Sequence, residues 1–339
     1  MKGQPKFNFE GIREIVVLRA LQLGDLLCAV PAFRSLRSAF PEAKITLVGL
    51  PWALGFVKRF HRYLDDFIEF PGFPGLPERT PDIARLPGFL HQIQSRQFDL
   101  ALQMQGSGAI TNPLLALFGA WRNAGFFLPG EFCPDENLFL PYPADEPEVR
   151  RHLKLMAHLG VPKLGEHLEF PLYEQDLSEI VGLESMHGPL KTPYACVHPG
   201  SRAQARRWPA EYFARVADGL AERGLGVFLT GSAEEAPLTR AVQSLMRCPA
   251  VDLAGKTSLG GIGAFLSGAR LLVSNDTGLS HLAAALRIPS IVLFSASDPR
   301  RWAPLDAKLH RAVPFASKVG PDQILNEVES ILNEEPVLF

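Results

Sequence analysis

The stretch EIVVLRALQLGDLLCAVPAFRSLRSAF, residues 14–40, decides the fold. Its first residues form a short β-branched run, which predicts a buried parallel strand, and LGDLL then begins a helical pattern with apolar residues at three- and four-residue spacing. Pro31 lies early enough in this helix to kink it without ending it. KITLVGL at 44–50 supplies the next strand, so the sequence predicts a βαβ unit.

Five more β-like runs follow, and each leads into a Gly- or Ser-rich turn and a helical pattern. They are FDLALQMQ (98–105), YACVHPG (194–200), GVFLTG (226–231), ARLLVSND (269–276) and PSIVLFS (289–295). Strands that alternate with helices predict an α/β fold with doubly wound parallel sheets. A stretch rich in Pro and Glu separates two halves, so we predict two Rossmann-like domains, 1–188 and 189–339, the second ending in a helix within 320–335.

The composition describes a near-neutral chain that can bury large cores. Of 339 residues, 47% are hydrophobic and 21% are charged, and the formal net charge is −2, which excludes global disorder and a broadly basic nucleic-acid binder. Residues 1–188 hold 18 basic and 22 acidic side chains, whereas residues 189–318 hold 16 basic and 9 acidic ones. Such a basic region suits a small anionic ligand such as a nucleotide diphosphate, or it is a solvated face.

The cysteines and the hydropathy indicate the compartment. Cys28, Cys133, Cys196 and Cys248 show no C-x-x-C spacing, which predicts neither a zinc site nor a disulfide framework and favours a reducing compartment. No apolar leader precedes a cleavage site, and no apolar run reaches the roughly 18 residues that span a bilayer. We expect a cytoplasmic protein that is soluble or at most attached to a membrane surface.

One loop is rich in groups that suit phosphate. HPGSRAQARRWP (198–209) places Ser201 with Arg202, Arg206 and Arg207 after a strand, and forked guanidinium donors fit phosphate oxygens. The alternative is a solvated loop whose tryptophan anchors it in the core.

NDTGLSHLAAAL (275–286) ends a strand and begins a helix of strong helix formers. The backbone N–H groups at such a helix start, together with the helix dipole, form an anion site. Alternatively, Asp276 and Ser280 are only helix caps, and His281 packs against the sheet.

Carboxylates follow two other predicted strands. In TGSAEE (230–235), Glu234 or Glu235 could accept hydrogen bonds from ribose hydroxyls, or could be acidic residues of a first helical turn. Asp25 stands at the start of the first helix, where it could deprotonate an acceptor hydroxyl or could serve as an N-cap worth about 1 kcal/mol.

Several missing motifs narrow the reaction class. No G-x-G-x-x-G occurs, and AVDLAGKT (250–257) imitates a P-loop but has Ala250 where the first Gly belongs. The chain also has no D-x-D run to hold a divalent metal on a sugar diphosphate and no G-x-S-x-G elbow. A metal-free reaction of a nucleotide-linked substrate fits this pattern best.

Together these blocks resemble glycosyltransferase family 9, the ADP-heptose:lipopolysaccharide heptosyltransferases and their relatives. The resemblance runs from about residue 13 to 305, through the Arg19, Gly24 and Asp25 motif, FDLALQMQGS, HPGSRAQARRWP, TGSAEE, LAGKTSLGG and NDTGLSHLAAALRIPSIVLF. It implies a GT-B enzyme with two Rossmann-like domains facing an interdomain cleft. The first would bind the acceptor and the second the nucleotide sugar, with the last helix returning to the N-terminal domain.

The resemblance also implies roles for individual residues. Asp25 looks like the general base, and Arg206 stands where the family usually has Lys, as the cation that offsets charge on the departing diphosphate. The implied donor-binding residues are Ser201, Arg202, Glu235, Asp276, Thr277, Gly278, Leu279 and His281. Gly24 and Gln105 would lie on the acceptor side, and no metal ion or cofactor is expected. Ser295 departs from the family, which commonly has Gly there.

We therefore expect an inverting, metal-independent glycosyltransferase that moves a sugar, expected to be heptose, from an ADP-linked donor to a lipopolysaccharide-core or other cell-surface glycan. No nucleic-acid partner is expected. The alternatives are a nucleotide-sugar epimerase of the same architecture and a non-catalytic nucleotide-sugar binder, which would need neither Asp25 nor Arg206.

A second expectation concerns the cytoplasmic face of the inner membrane, where such an enzyme would meet a lipid-linked acceptor. PWALGFVKRFHRYL (51–64) mixes aromatic and basic residues, as a peripheral membrane-interface patch does. Core packing beneath a solvated basic face explains the same pattern.

Overall fold

The computed structural model describes residues 10–187, 193–315 and 319–333. Contacts divide the chain into two compact units, residues 1–167 and 168–339. Each unit contains a six-stranded sheet, and every strand pairing is parallel. The prediction of doubly wound α/β sheets is therefore confirmed.

From residue 10 onward, the first unit has six strands and five α-helices. In chain order these are β1 (Glu14–Leu18), α1 (Leu23–Ala39), β2 (Lys44–Gly49), α2 (Ala53–Arg59), β3 (Asp66–Glu69), α3 (Leu86–Gln94), β4 (Leu100–Gln103), α4 (Thr111–Ala116), β5 (Arg122–Phe127), β6 (Phe139–Pro141) and α5 (Glu148–His158). The strand order in the sheet is β3-β2-β1-β4-β5-β6.

The opening strand and helix form as their sequence predicts. Residues 15–18 of β1 are fully buried, which explains the continuous β-branched run of a strand covered on both faces. Helix α1 continues through Pro31 to Ala39, and the Ser35 hydroxyl donates to the Pro31 carbonyl (2.9 Å).

The second unit begins with helix α6 (Glu174–His187) and repeats the architecture. Its further elements are β7 (Tyr194–His198), α7 (Ala210–Glu222), β8 (Gly226–Leu229), α8 (Ala236–Leu245), β9 (Val251–Asp252), α9 (Leu259–Ser267), β10 (Leu271–Asn275), α10 (Gly278–Leu286), β11 (Ser290–Phe294), α11 (Pro299–Trp302), β12 (His310–Pro314) and α12 (Pro321–Asn333). The strand order is β12-β11-β10-β7-β8-β9, which is the order of the first sheet when strands are counted within each unit.

This topology marks one place in each sheet where a ligand is expected. In doubly wound sheets, ligands bind beyond the carboxyl ends of the strands at the point where the strand order reverses. That point lies between β1 and β4 in the first unit, where Leu18 pairs with Gln103. In the second unit it lies between β7 and β10, where Ser274 pairs with His198.

The division between the units differs from the predicted boundary after residue 188. Helix α6, which we predicted to be in the N-terminal domain, belongs to the second unit because it packs on α9. The Glu179 carboxylate accepts hydrogen bonds from the backbone N–H and the hydroxyl of Ser258, the N-cap of α9. Residues 188–192, at the predicted boundary itself, lie outside the described residues.

The last described helix packs within its own unit. Helix α12 buries Ile324, Val328 and Ile331 in the core of the second unit, and the return of the last helix to the N-terminal domain stays a prediction. Its neighbour there is α7, and Leu325 of α12 lies so close to Gly219 of α7 that a Cβ on this glycine would stand 2.5 Å from the leucine. The stripe of apolar residues that predicted the helix is thus matched by a surface of the second unit.

Candidate active site

Asp25 lies in the first turn of α1, directly beyond β1. Its Oδ2 atom accepts a hydrogen bond from the backbone N–H of Gln22, the N-cap residue, at 3.2 Å. The side chain is half-buried. The carboxylate thus contributes to the helix start and is also accessible at the carboxyl edge of the sheet, so capping and proton transfer are compatible roles.

The structure brings the two predicted acceptor-side residues to the same edge. Gly24 is buried one residue before Asp25. Gln105 follows β4 and is 2% exposed, and its Oε1 atom accepts from the Ala20 backbone N–H at 2.7 Å. This bond joins the loop after β4 to the loop after β1, which places Gln105 beside the chain segment that leads to Asp25.

Arg19 had no role in the sequence prediction beyond membership of a motif. Its side chain is fully buried, and Nε and Nη2 donate to the backbone carbonyl of Asp25 at 3.0 and 2.7 Å. Its partner carboxylate is Glu148 on α5, with Nη2 to Oε1 at 3.2 Å. Nothing in the spacing of these residues could have indicated the pair, because 129 positions separate them.

In the second unit, a buried asparagine organises the loop that carries the arginines. Asn275, the last residue of β10, is fully buried, and its Nδ2 donates to the carbonyls of Pro199 (2.8 Å) and Gly200 (3.3 Å). Its Oδ1 accepts from the Trp208 backbone N–H at 3.1 Å. One side chain thereby holds both ends of the loop at 199–208, a role that sequence analysis missed.

Arg206 is the arginine of this loop that reaches a buried acid. Its Nη1 lies 3.6 Å from Oδ2 of Asp276, and its side chain is 40% exposed whereas that of Asp276 is 5% exposed. The Ser297 hydroxyl also donates to Asp276, and the Ser295 hydroxyl donates to the Ala205 carbonyl at 2.9 Å. Ser295, where the family commonly has Gly, therefore has a structural role, since its hydroxyl ties the segment after β11 to the loop of Arg206.

The other residues of the loop divide into structural and exposed ones. Ser201 is buried, and its carbonyl accepts from Nε of Arg207 at 2.8 Å, so Arg207 closes the loop on itself. Arg202 is exposed. Trp208 is 2% exposed and packs in the core, so the loop has both the tryptophan anchor and the cationic face that the sequence analysis had set against each other.

The turn after β10 starts a helix of nine residues. Thr277 is the N-cap of α10, and its side chain accepts from the Leu279 backbone N–H at 3.3 Å. Asp276 is therefore available to Arg206 and Ser297 and is not the cap. With Gly278 at its first position, this helix start can accept an anion without a side chain in the way.

His281 lies inside the fold on the first turns of α10. It is 4% exposed and packs edge-on against the ring of Trp302, with ring centroids 6.2 Å apart. This environment is that of a packed histidine, and its donor-binding role stays a prediction.

Glu235 stands beside the end of β7, as a ribose-binding carboxylate would. Its Oε2 accepts from the Ser232 backbone N–H at 2.9 Å, and a Cβ on Gly200 would lie 2.3 Å from its Oε1. Only glycine fits at position 200 with the carboxylate in this place. Glu234 is exposed, so Glu235 is the residue of the two that the structure brings to the loop.

His198, which the sequence analysis did not single out, is buried next to Glu235. Its Nδ1 lies 2.9 Å from the Thr230 carbonyl, which can only accept, so Nδ1 carries the proton. Burial lowers the pKa of His198 below its ordinary value, although the negative charge of Glu235 opposes this shift. The ring is therefore neutral at pH 7, with Nε2 as a hydrogen-bond acceptor.

The P-loop-like segment at 250–257 forms a different structure from a phosphate-binding loop. Its first residues make the short strand β9, and the Leu253 N–H donates to the Leu229 carbonyl at 2.8 Å. Gly255 (φ +70°) packs so closely on Ala233 that a Cβ would stand 2.9 Å from its Cα. Within the described part of the chain, no group of three or more His, Cys, Asp or Glu residues could hold a metal ion.

The structure places two aromatic residues of the segment 51–64 in the core, while membrane contact stays a prediction. Phe56 and Phe60 are 1% and 0% exposed and stack on each other with centroids 4.2 Å apart. These aromatic residues belong to the core and cannot form a membrane-interface patch. No helix among the described residues is both long and apolar enough to cross a bilayer.

Comparison with known proteins identifies relatives that match almost the whole chain. Lipopolysaccharide heptosyltransferase 2 of Salmonella typhimurium is 25% identical over an alignment that covers 96% of this chain and 100% of the relative. The Escherichia coli K12 protein of the same name is 24% identical, with coverage of 95% and 99%.

Solved structures share the fold. The family 9 glycosyltransferase of Veillonella parvula matches with a TM-score of 0.80 at 22% identity, covering 94% of this chain and 97% of its own. The E. coli ADP-heptose lipopolysaccharide heptosyltransferase II matches with a TM-score of 0.75 at 21% identity, covering 94% and 98%. The expected pair of Rossmann-like domains of a GT-B fold is confirmed by this likeness.

The sequence model of the family called glycosyltransferase family 9 (heptosyltransferase) matches residues 88–318, more than half of the chain. This protein therefore belongs to glycosyltransferase family 9.

Proposed function

We propose that this glycosyltransferase transfers heptose from ADP-heptose to a hydroxyl of the lipopolysaccharide core, by a single inverting displacement that needs no metal ion. The observation that carries the proposal is the arrangement beyond β7 and β10. There an arginine tethered to a buried acid lies beside a helix start that can accept an anion. This is the chemistry that the diphosphate of a nucleotide sugar requires.

The relatives support the choice of sugar and acceptor. Those matched over nearly their full length are named lipopolysaccharide heptosyltransferase 2, and one of the matched structures is described as an E. coli heptosyltransferase with ADP. The proposed substrate pair would place the reaction at the cytoplasmic face of the inner membrane, and this location stays a prediction.

In the proposed reaction, Asp25 takes the proton of the acceptor hydroxyl. The acceptor oxygen forms a bond to the anomeric carbon, and the bond from that carbon to the diphosphate oxygen breaks, so ADP leaves with the electron pair. Arg206 offsets the charge that develops on the departing phosphate, where a fixed cation is worth most. Because the new bond forms opposite the bond that breaks, the configuration inverts.

The remainder of the donor has matching groups in the second unit. The half-buried carboxylate of Glu235 suits ribose hydroxyls, because the Ser232 N–H already holds it at one oxygen. Neutral His198 beside it adds an acceptor without a repelling charge. The Thr277–Leu279 turn supplies the backbone groups for the diphosphate.

A thermal-shift titration with ADP, UDP, GDP and NADH, each with and without magnesium, tests the donor assignment. A ligand that binds only the folded protein raises its melting temperature by mass action. We expect a shift with ADP that is the same after EDTA treatment. A shift with UDP or GDP alone would remove ADP-heptose as the donor, and no shift with any nucleotide would favour a degenerate binder.

The reaction itself is tested by incubating the protein with ADP-heptose and a heptose-deficient lipopolysaccharide core. The expected products are ADP and an acceptor heavier by one heptose, formed equally in EDTA. Epimerisation of the nucleotide sugar without an acceptor would contradict the proposal.

A further inference from the structure

We propose that Arg19 is a positioning residue for transfer: it orients the turn that carries Asp25, and Glu148 holds Arg19 in place. This inference rests on the proposed role of Asp25 as the base. It assigns a function to two buried charged residues that do not themselves need to touch a substrate.

The contacts of Arg19 join three separate parts of the first unit. Nε and Nη2 donate to the Asp25 carbonyl at 3.0 and 2.7 Å, and Nη1 donates to the Met104 carbonyl. Met104 precedes Gln105, whose side chain bonds Ala20. A single planar guanidinium thus sets the relative positions of the Asp25 turn and the loop after β4.

The opposite side of the guanidinium faces α5. Glu148 is 4% exposed, and its carboxylate contacts Arg19, Arg151 and His152, the last at 3.2 Å to Nε2. Burial lowers the pKa of His152 to about 4, so this histidine is neutral and donates Nε2–H to the carboxylate. Glu148 therefore forms ion pairs with Arg19 and Arg151, whereas its contact with the neutral His152 is a hydrogen bond.

The planar, forked shape of the Arg19 guanidinium is what this network requires. A buried ion pair is seldom more stabilising than well-packed apolar residues, so stability alone does not account for a fully buried Arg19. Its fork can bind the Asp25 carbonyl, the Met104 carbonyl and Glu148 at once, whereas the point charge of a lysine cannot. A displaced Asp25 turn would misplace the base by a fraction of an ångström to an ångström, enough to slow transfer without affecting the donor.

The test compares Arg19→Lys with Arg37→Lys. Arg37 lies on α1, the helix whose first turn carries Asp25, and its fork likewise joins backbone carbonyls, including Ala43 at 2.6 Å, to one carboxylate, Asp65. It lies near the other end of α1. We expect Arg19→Lys to lower kcat about 30-fold with an unchanged Kd for ADP, and Arg37→Lys to keep kcat within about threefold.

Two further measurements separate positioning from general loosening. In an Asp25→Asn background, Arg19→Lys should cause no further loss of transfer, because the two residues act through one step. Hydrogen exchange of the full-length protein should speed up over residues 20–28 in Arg19→Lys and not in Arg37→Lys. This second readout needs no activity, and faster exchange that is confined to residues 20–28 separates loosening of this turn from a general loss of stability, which would speed up exchange throughout the unit.

The outcomes distinguish this inference from the proposed function. If Asp25→Asn abolishes transfer while Arg19→Lys keeps both the wild-type kcat and wild-type exchange over residues 20–28, the positioning role is overturned and the base role stands. If Asp25→Asn transfers heptose at the wild-type rate, the base role is lost. Faster exchange over residues 20–28 in Arg19→Lys alone would then show that Arg19 holds this turn without serving the reaction, which also overturns the positioning role.

Discussion

The guanidinium of Arg206 and the carboxylate of Asp276 lie 3.6 Å apart, with the cation 40% exposed and the acid almost fully buried. The Asp276 carboxylate also accepts a hydrogen bond from the Ser297 hydroxyl, so the acid is anchored within the fold while the side chain of Arg206 extends from it. A cation held by a buried acid is oriented before any ligand arrives, which lowers the cost of ordering it around a phosphate.

Arg206→Ala should lower kcat by about 100-fold, because it removes the charge that stabilises the leaving diphosphate, whereas Arg206→Lys should retain most of the rate. Steady-state transfer of heptose measures both. Arg215→Ala is the control, since Arg215 is 58% exposed and pairs with a solvated Asp322 on the surface of the same unit. Equal rates for the alanine and wild-type enzymes would remove Arg206 from the mechanism.

Asp25→Ala should reduce transfer by about 100-fold or more, since no other group would take the proton of the acceptor hydroxyl. The affinity for ADP, measured by calorimetry, should change little because ADP is expected to bind through the second unit. Asp145→Ala, at an exposed acid of the same unit, provides the comparison. Unchanged transfer by the Asp25 variant would assign the base role elsewhere.

Gly200→Ala should weaken ADP binding about tenfold or more by displacing Glu235, because the new Cβ would lie 2.3 Å from its Oε1. Gly182→Ala is the matched control: the same methyl group would meet nothing within 4 Å at this exposed position of helix α6. Titration of ADP against each variant checks the prediction, which fails if the two variants bind ADP equally well.

Asn275→Ala should destabilise the protein by about 2–4 kcal/mol. The substitution removes the hydrogen-bond partner that the Asn275 side chain provides for the carbonyls of Pro199 and Gly200 and for the N–H of Trp208. An unsatisfied buried polar group costs about 1–3 kcal/mol. Urea unfolding measures the loss. Asn137→Ala, at an exposed position, should stay within about 0.5 kcal/mol of the wild type. A similar small effect at Asn275 would show that this side chain does not hold the loop.

The stability of the fold should decrease as the pH falls from about 6.5 to about 4. Burial lowers the pKa of His152 and of His310 to about 4, from an ordinary value of 6.5. Within that window the unfolded chain binds protons that the native histidines do not, so the free energy of unfolding falls by about 3 kcal/mol for each. Above pH 7 these histidines contribute no pH dependence.

His310→Asn tests this pH dependence, because an asparagine can still pair with the Ser290 hydroxyl that lies 2.8 Å from Nδ1. Urea unfolding at pH 5 and pH 7 should show a smaller difference in the free energy of unfolding for this variant than for the wild type. The same difference in both proteins would mean that His310 is not buried as a neutral ring.

The sequence could predict those candidate site residues that directly follow a strand. Asp25, Ser201, Glu235 and Asp276 all follow β-branched runs, and parallel sheets place such residues at one edge. The strands that went unpredicted, such as β6 and β9, are only three and two residues long and contain Pro or Asp, so they carry almost no periodic signal.

The sequence by itself determined the alternation of strands and helices, the doubly wound class of both sheets and the turns that hold the candidate site residues. These follow from local patterns of apolar residues and glycines within a few positions of one another. Only the tertiary structure decided that Asn275 holds the arginine loop, that Glu148 supports Arg19, and that Phe56 and Phe60 lie in the core. These hydrogen bonds and this burial join residues that are far apart in the sequence. Sheet topology and packing bring such residues together, and local sequence patterns do not specify which ones meet.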